Sequence, residues 1–206
     1  MRATQAPDGT AYERLGDDGP TALLPRGDRH WGVVHGVARE QAETVAALDD
    51  AAWLARLQHA VGWRIGRLVA SGERSAYPIV RVVAQRLVAD RAVVLGNAAQ
   101  TIHPIGAQGF NLGLRDALTL AEGLRMHAGD PGASSLLQQY AQRRREDRDR
   151  TLAFSDGLAR MTGNPSPLLR PLRSFGLLAA DRAGWLQAWL VGGAMGFRGD
   201  VPELCR

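Results

Sequence analysis

The sequence contains no lysine and only one cysteine. All 25 of its basic residues are arginine, they are interspersed with 21 acidic residues, and the formal net charge is +4. Because the arginines are not gathered into one patch, the composition argues against nucleic-acid binding. Cys205 has no second cysteine to pair with, which excludes an internal disulfide and a cysteine-based metal site. This usage fits a reducing cytoplasm.

Long hydrophobic runs are also missing. The first twenty residues hold no apolar stretch typical of a signal peptide, so we expect no export. The longest weakly polar run, from Gly184 to Phe197, is shorter than the ~20 residues that cross a bilayer. With 206 residues, 45% of them hydrophobic, the chain is long enough to bury a globular core. We therefore expect a cytoplasmic protein.

Local patterns predict an α/β chain. Two apolar runs on either side of Arg26-Gly27-Asp28-Arg29 predict a β-hairpin over residues 19–37. The short apolar run Ala92 to Leu95 is typical of a strand buried on both faces of a parallel sheet. Apolar spacing predicts further strands near 65–70 and 77–84, and helices near 39–61, 112–126, 134–160 and from 171 onward.

The segment after this last strand has the composition of a ligand-binding loop. Gly96 allows a ligand to approach the backbone, and the amide of Asn97 can donate and accept hydrogen bonds. Asn111 is a candidate N-cap for the next helix, whose free N–H groups would attract an electron-rich ligand edge. The residue types alone leave open an alternative, an ordinary strand-to-helix connection whose glycines only make a turn.

The order of the residues favours a specific family. The chain contains Gly96-Asn97-Ala98-Ala99-Gln100, then His103-Pro104, then Gln108-Gly109-Phe110-Asn111-Leu112-Gly113, then Arg115-Asp116. This run resembles the second flavin-binding motif of the FAD-dependent aromatic hydroxylases, the class A flavoprotein monooxygenases. Among them it is most similar to the octaprenyl-methoxyphenol hydroxylases of ubiquinone biosynthesis. Stretches upstream and downstream are similar in the same order, and the similarity weakens after about Gly163.

The resemblance implies a flavin monooxygenase fold, with FAD as cofactor, NAD(P)H as reductant and a polyprenyl phenol as substrate. It implies part of a substrate domain at 1–90, the flavin motif at 91–130 and a helical region at 131–206. It assigns no catalytic residue, because the cofactor carries the chemistry. The implied cofactor-binding residues are Gly96, Asn97, Pro104, Gly106, Ala107, Gln108, Gly109, Phe110 and Asn111.

The sequence departs from the family pattern at two positions and lacks two of the family's motifs. Asn97 stands where most relatives have Asp, and in this the chain resembles the ubiquinone-pathway branch, which also has Asn. Ala107 stands where the family has the first glycine of Gly-Gln-Gly. If that position needs a positive φ, Ala107 costs on the order of a kcal/mol. No two glycines lie two residues apart, so the Gly-x-Gly that binds the FAD pyrophosphate is absent, as is the family's middle Asp-Gly motif.

These absences predict that the chain resembles only the C-terminal half of such an enzyme and is inactive alone. Two alternatives remain, a docking module for other ubiquinone-biosynthesis enzymes and one half of a split enzyme. His103 is expected to pack or hydrogen-bond, and the charge run from Arg143 to Arg150 is expected to form a solvated helix face with i, i+4 pairs. Aromatic residues near the C-terminus are expected in the core, with a peripheral membrane contact as the alternative. They are Trp185 and Trp189, together with Leu190 and Phe197.

Overall fold

The computed structural model describes residues 1–16, 19–162, 169–194 and 201–205. Its contacts divide the chain into two compact units, Met1–Pro78 and Ile79–Arg206. Helices and antiparallel strands occur in both, which confirms the predicted α/β class. The division of the sequence at residues 90 and 130 stays a prediction. It separates regions by their expected function, whereas the two units are separated by their internal contacts.

A three-stranded antiparallel sheet dominates the first unit. After a short strand β1 (Arg2–Ala3), strands β2 (Tyr12–Gly16), β3 (Gly19–Pro25) and β4 (Trp31–His35) pair in sequence order. The predicted hairpin is confirmed, with Pro25 opposite Trp31 and a turn between them. In that turn Asp28 and Arg29 both have positive φ, a backbone conformation that Asp tolerates better than most residues.

The helical part of the first unit is interrupted. The sequence predicts one helix over 39–61, but the structure has α1 (Ala42–Ala46) and α2 (Asp50–Val61). Asp49 separates them because its extended backbone and its carboxylate, which accepts from the Ala52 N–H, make it the N-cap of α2. Strand β5 (Leu68–Ala70) pairs with β1, and the core consists of Leu23, Trp31, Leu57, Val61, Ile65 and Leu68.

Short antiparallel strands begin the second unit. Strand β6 (Val82–Val83) pairs with β9 (Gln100–Thr101), while β7 (Val88–Ala89) pairs with β8 (Ala92–Val93). The prediction of a doubly buried strand over 92–95 is therefore wrong for the described residues. Only Ala92–Val93 is strand, it pairs with an antiparallel neighbour across a two-residue turn, and Ala92 is exposed. The expected strand over 77–84 is likewise reduced to two residues.

Four α-helices occur in the described part of the second unit. These are α3 (Gln108–Met126), α4 (Ser134–Thr162), α5 (Leu169–Arg182) and α6 (Gly184–Ala194). Helices α3 and α4 pack against each other, and α4 also contacts β7. Trp185 and Trp189 are exposed, which corrects their expected place in the core; Phe197 and the Leu190 side chain lie outside what the structure describes. No helix among the described residues is long and apolar enough to cross a membrane.

Candidate functional site

The loop between β8 and α3 begins with a close backbone approach. Gly96 has φ +59° and starts a short 3-10 helix, Gly96–Ala98. A Cβ on Gly113, in the first turns of α3, would lie 3.1 Å from the Cα of Gly96. Because larger side chains would force the two backbones apart, this glycine pair keeps the start of the loop against the helix.

The other end of the loop is a strained helix start. Helix α3 begins at Gln108, four residues earlier than the sequence predicts, and its N-cap is Ala107 with φ 52° and ψ 32°. Asn111 lies inside the first turn and is not the N-cap. Ala107 makes no side-chain cap hydrogen bond. The first N–H groups of α3 therefore have no capping side chain at position 107, and an electron-rich ligand edge fits there.

The left-handed backbone of Ala107 gives a stability prediction. Glycine adopts this conformation without the Cβ penalty, so Ala107→Gly is expected to raise the free energy of unfolding by about 0.5–1 kcal/mol. Ala121→Gly is the matched control, because Ala121 is an exposed residue inside α3 and the same change should lower the free energy of unfolding by about 1 kcal/mol. Urea unfolding of the three proteins measures both signs. Equal losses in the two variants would contradict the strain at Ala107.

The structure brings the nine predicted site residues onto one loop and helix start. Asn97, Pro104, Gly106, Ala107 and Phe110 are exposed, and the Phe110 side chain keeps 80% of its surface accessible. Gly109 and Asn111 are half-buried. Gln108 is buried, and its amide Nε2 donates to the carbonyl of Gly106 at 3.0 Å. The side of the loop formed by the exposed residues is thus accessible to a ligand.

His103 holds this loop internally. Its Nδ1 accepts from the Ile105 N–H at 3.2 Å, and its carbonyl accepts from the Ser155 hydroxyl at 3.3 Å. The expected hydrogen-bonding role is confirmed.

Beneath the loop lies a buried carboxylate, Asp116 of α3. Its Oδ2 accepts from the Gly96 N–H at 3.1 Å and from the Gln100 Nε2 at 2.8 Å, while its Oδ1 accepts from the Arg144 Nε at 2.7 Å. Asp116 is 2% exposed and Arg144 is completely buried. One carboxylate therefore joins the loop backbone, the short strand β9 and helix α4.

A second carboxylate extends this cluster along the contact between α3 and α4. Asp147 accepts from Arg144 at 2.6 Å and from the Nε of Arg115 at 2.7 Å. Burial alone would raise the pKa of Asp147, but the hydrogen bond from Arg115 and the charge of Arg144 outweigh it and hold that pKa below its usual value. Both acids stay paired where an isolated buried charge would cost several kcal/mol.

Arg148 adds a third connection from α4 to the loop. Its Nε donates to the Gln100 Oε1 at 2.9 Å, and its Nη2 donates to the carbonyls of Ala84 at 2.7 Å and Ala99 at 3.3 Å. It thus binds β9 and the residue that follows β6 together. We call Asp116, Arg144, Asp147, Arg115, Gln100 and Arg148 the polar seam.

The polar seam corrects the interpretation of residues 143–150 as a solvated helix face. Arg144 and Asp147 are buried, and Arg150–Glu146 is an i, i+4 pair of the expected kind, at 3.6 Å. The sequence contained a signal for this burial. The helical spacing set by the apolar residues of α4 continues through the charge run, and the positions on that spacing are the buried ones. They are Leu136, Leu137, Tyr140, Arg144, Asp147, Thr151, Leu152 and Ser155. The composition of residues 143–150 suggested a solvent-exposed face because charged residues occupy the centre of this buried face.

Comparison with known proteins identifies the family of the chain. Residues 3–155 match the family model described as "FAD binding domain". The chain belongs to this FAD-binding family, that of the class A flavin monooxygenases. The match includes the whole loop and all of the polar seam, so the flavoprotein resemblance inferred from the motifs is confirmed at family level.

Curated relatives of this flavoprotein include several ubiquinone-pathway hydroxylases. Ubiquinone hydroxylase UbiL of Rhodospirillum rubrum is 34% identical over 198 residues, which are 95% of this chain and 46% of that protein. The 3-demethoxyubiquinol 3-hydroxylase of Escherichia coli is 31% identical over 92% of this chain and 49% of its own length. The chain thus spans about half the length of these relatives.

Solved structures share the fold of this flavoprotein. A TM-score of 0.65 relates it to the Diels-Alderase PyrE3 of pyrroindomycin biosynthesis, at 22% identity over 92% of this chain and 41% of that one. The anhydrotetracycline hydroxylase OxyS of Streptomyces rimosus has a TM-score of 0.58, at 20% identity over 94% of this chain and 38% of that one. At these identities the likeness concerns the fold alone.

The residues present fit one part of an FAD molecule. The start of α3 has no capping side chain at Ala107, and the backbone has positive φ at Gly106 and Ala107. Together with the exposed Asn97 amide, this start suits a planar ring edge and a hydroxylated chain. No group of His, Cys, Asp and Glu able to hold a metal ion occurs in the described ranges.

Proposed function

We propose that this chain forms the flavin-ring-facing part of an FAD- and NAD(P)H-dependent monooxygenase that hydroxylates a polyprenyl phenol in ubiquinone biosynthesis. The observation that supports it most directly is the start of α3. Its N-cap, the left-handed Ala107, supplies no capping side chain to the first N–H groups of the helix, and it lies beside the exposed Gly106 within the segment that matches an FAD-binding family. The names of the relatives in two bacteria support the substrate class.

In this proposal the residues of the loop bind and orient the cofactor. Backbone N–H groups at Gly109 and Phe110 would donate to the pyrimidine edge of the ring, and Asn97 would bond a hydroxyl of the ribityl chain. Gly96 and Gly106 would leave room for close contact. FAD, when bound, supplies the oxygen-transfer chemistry, and the protein's contribution is binding, orientation and exclusion of water.

A second segment is needed for this function. The 206 residues contain no Gly-x-Gly, and the chain spans about half of its relatives' length. We therefore propose that it acts with a pyrophosphate-binding segment, in the same polypeptide or in a separate one, and has no hydroxylase activity alone. A purely non-catalytic docking role with other ubiquinone-biosynthesis enzymes is the competing hypothesis. That role predicts no contact between the loop and any flavin.

A membrane surface is the proposed source of the substrate. Helices α5 and α6 expose Phe175, Leu178 and Trp185, apolar side chains of the kind that insert among lipid headgroups. A polyprenyl chain would enter from such a surface. Co-sedimentation of the chain with lipid vesicles tests this contact, and its absence at low salt would exclude it.

The loop assignment predicts which backbone amides respond to a flavin. In the ¹⁵N-labelled chain, amide resonances of residues 96–111 are expected to shift on titration with FMN, which carries the ring and the ribityl chain. Gly109→Val should weaken this binding about tenfold or more, because its side chain would stand where the ring edge approaches, and one lost charge-free hydrogen bond already costs about 0.5–1.5 kcal/mol.

Gly72→Val is the matched control for that titration. A Cβ at Gly72 meets no atom within 4 Å, and Gly72 lies in the first unit, away from the loop in sequence. Its FMN affinity should equal that of the unchanged chain. Shifts confined to residues outside 96–111, or equal affinity in Gly109→Val, would reject the flavin role of this loop.

A further inference from the structure

The loop proposed to face the flavin is held in its conformation by side chains from outside the loop. Of its hydrogen bonds described above, those at Gly96, Ala99 and Gln100 are made with side chains of the two long helices behind it. Asp116 fixes the Gly96 amide, and Arg148 fixes the Ala99 carbonyl and the Gln100 side chain. None of these side chains belongs to the nine residues implied by the motif.

Helix α4 controls both of these contacts. Arg144 orients the Asp116 carboxylate by holding Oδ1, which leaves Oδ2 directed at Gly96 and Gln100. Arg148 acts on Gln100 from the other side, so that the amide of Gln100 has its oxygen and its nitrogen both engaged. Asn97 stands between these two fixed points and is exposed.

We infer that Arg144 and Arg148 are positioning residues of the flavin-binding loop, acting through Asp116 and Gln100 to hold residues 96–100 in the ligand-binding conformation. The inference rests on the proposed flavin role of the loop. It assigns a function to two residues of the charge run that lie on α4, outside the loop itself.

The geometry explains why two arginines are needed. A guanidinium is planar and always charged, and it presents several N–H groups in fixed directions. Arg144 uses Nε for Asp116 and Nη2 for Asp147, while Arg148 uses Nε for a side chain and Nη2 for two backbone carbonyls. Lysine has one charged nitrogen and cannot span these acceptors, so Arg144→Lys should restore only part of the loop geometry.

The test is FMN binding to the full ¹⁵N-labelled chain carrying Arg148→Met. Arg148 donates only to an amide oxygen and two carbonyls, so its loss leaves no buried carboxylate unpaired and the chain should still fold. We expect the amides of residues 96–100 to shift in the flavin-free protein. FMN affinity should fall about tenfold, which is the lower end of the roughly 10–100-fold loss that follows when groups orienting the ligands of a metal site are removed. Arg144→Met should have a larger effect on both measurements.

Arg145→Met is the control, because Arg145 is exposed on the same helix one residue from Arg144. It should leave the affinity and the loop amides unchanged. Binding is measured well below each variant's unfolding midpoint, where a purely structural role would lower the midpoint and leave the affinity of the folded protein unaltered. Wild-type affinity in folded Arg148→Met would overturn the inference.

The same titration separates this inference from the proposal beneath it. If the unchanged chain shows no FMN-dependent shift at residues 96–111, the flavin role fails and the positioning role fails with it. If the unchanged chain binds FMN and both arginine variants bind it equally well, only the positioning role is rejected.

Discussion

Purified alone, the chain is expected to contain no stoichiometric flavin and to consume no oxygen when FAD and NAD(P)H are supplied. In the proposed enzyme, FAD affinity is shared among the ring-facing loop, a pyrophosphate site and a ribose-binding carboxylate, and the 206 residues hold no Gly-x-Gly for the second. Each missing hydrogen bond to a charged oxygen is worth about 1.5–3 kcal/mol, so two of them weaken binding by more than about a hundredfold.

Comparison of FAD with FMN makes this expectation sharper. Both carry the ring and the ribityl chain that the loop would bind, and only FAD carries the adenosine diphosphate end. The chain is therefore expected to bind the two with affinities within about threefold of each other, a difference of less than 1 kcal/mol. The absorbance spectrum of the fresh protein and the two titrations give the result. A yellow protein, or a strong preference for FAD, would reveal a pyrophosphate site in these residues.

Replacement of Arg144 by methionine is expected to lower the free energy of unfolding by about 3–5 kcal/mol. The change removes the partner that Asp116 and Asp147 share and leaves two carboxylates buried with fewer donors. Such a loss is a large part of the 5–15 kcal/mol that a typical domain possesses. Urea unfolding at pH 7 measures it, and Arg145→Met should change the value by less than about 0.5 kcal/mol.

The pH dependence of stability should also report the ion pair between Arg144 and Asp147. Because the folded-state pKa of Asp147 is lowered, its ionisation adds stability above the ordinary aspartate value of about 3.9, and this is lost as pH falls through the lowered value. Without Arg144 that pKa rises, so less stability depends on this ionisation, and the difference in unfolding free energy between Arg144→Met and the unchanged chain should narrow as pH falls from 7 to about 3. Identical acid-unfolding curves, together with an unfolding free energy within 1 kcal/mol of the original, would contradict the role given to Arg144.

The sequence predicted the parts of this fold that depend on local chemistry. The hairpin around Asp28, the long helix α4 and membership of the FAD-binding family followed from turn residues, apolar spacing and residue order. The positive φ considered for Ala107 is observed as well. These features depend on neighbours in the chain, which the sequence displays directly.

The parts that were missed depend on contacts that apolar spacing does not record, some between near neighbours and one between separate helices. Asp49 caps α2 because its carboxylate accepts from the Ala52 N–H. The short strand Ala92–Val93 was given a parallel sheet that the described residues do not contain. Arg144 and Asp147 were assigned to the surface, because a charged residue is rarely buried unless it is paired. Their partners, Asp116 and Arg115, lie on another helix, and the spacing of residues in α4 does not reveal them.

The polar seam also limits how this protein can change during evolution. Asp116 and Arg115 are adjacent on α3 and face Arg144 and Asp147, with the signs reversed, on α4. Loss of any one of them leaves at least one buried charge with fewer partners, so a single substitution passes through a destabilised intermediate. Paired exchange, or joint replacement by apolar residues, avoids that intermediate. Among homologues these four positions should therefore covary, while the exposed arginines of the same helix drift independently.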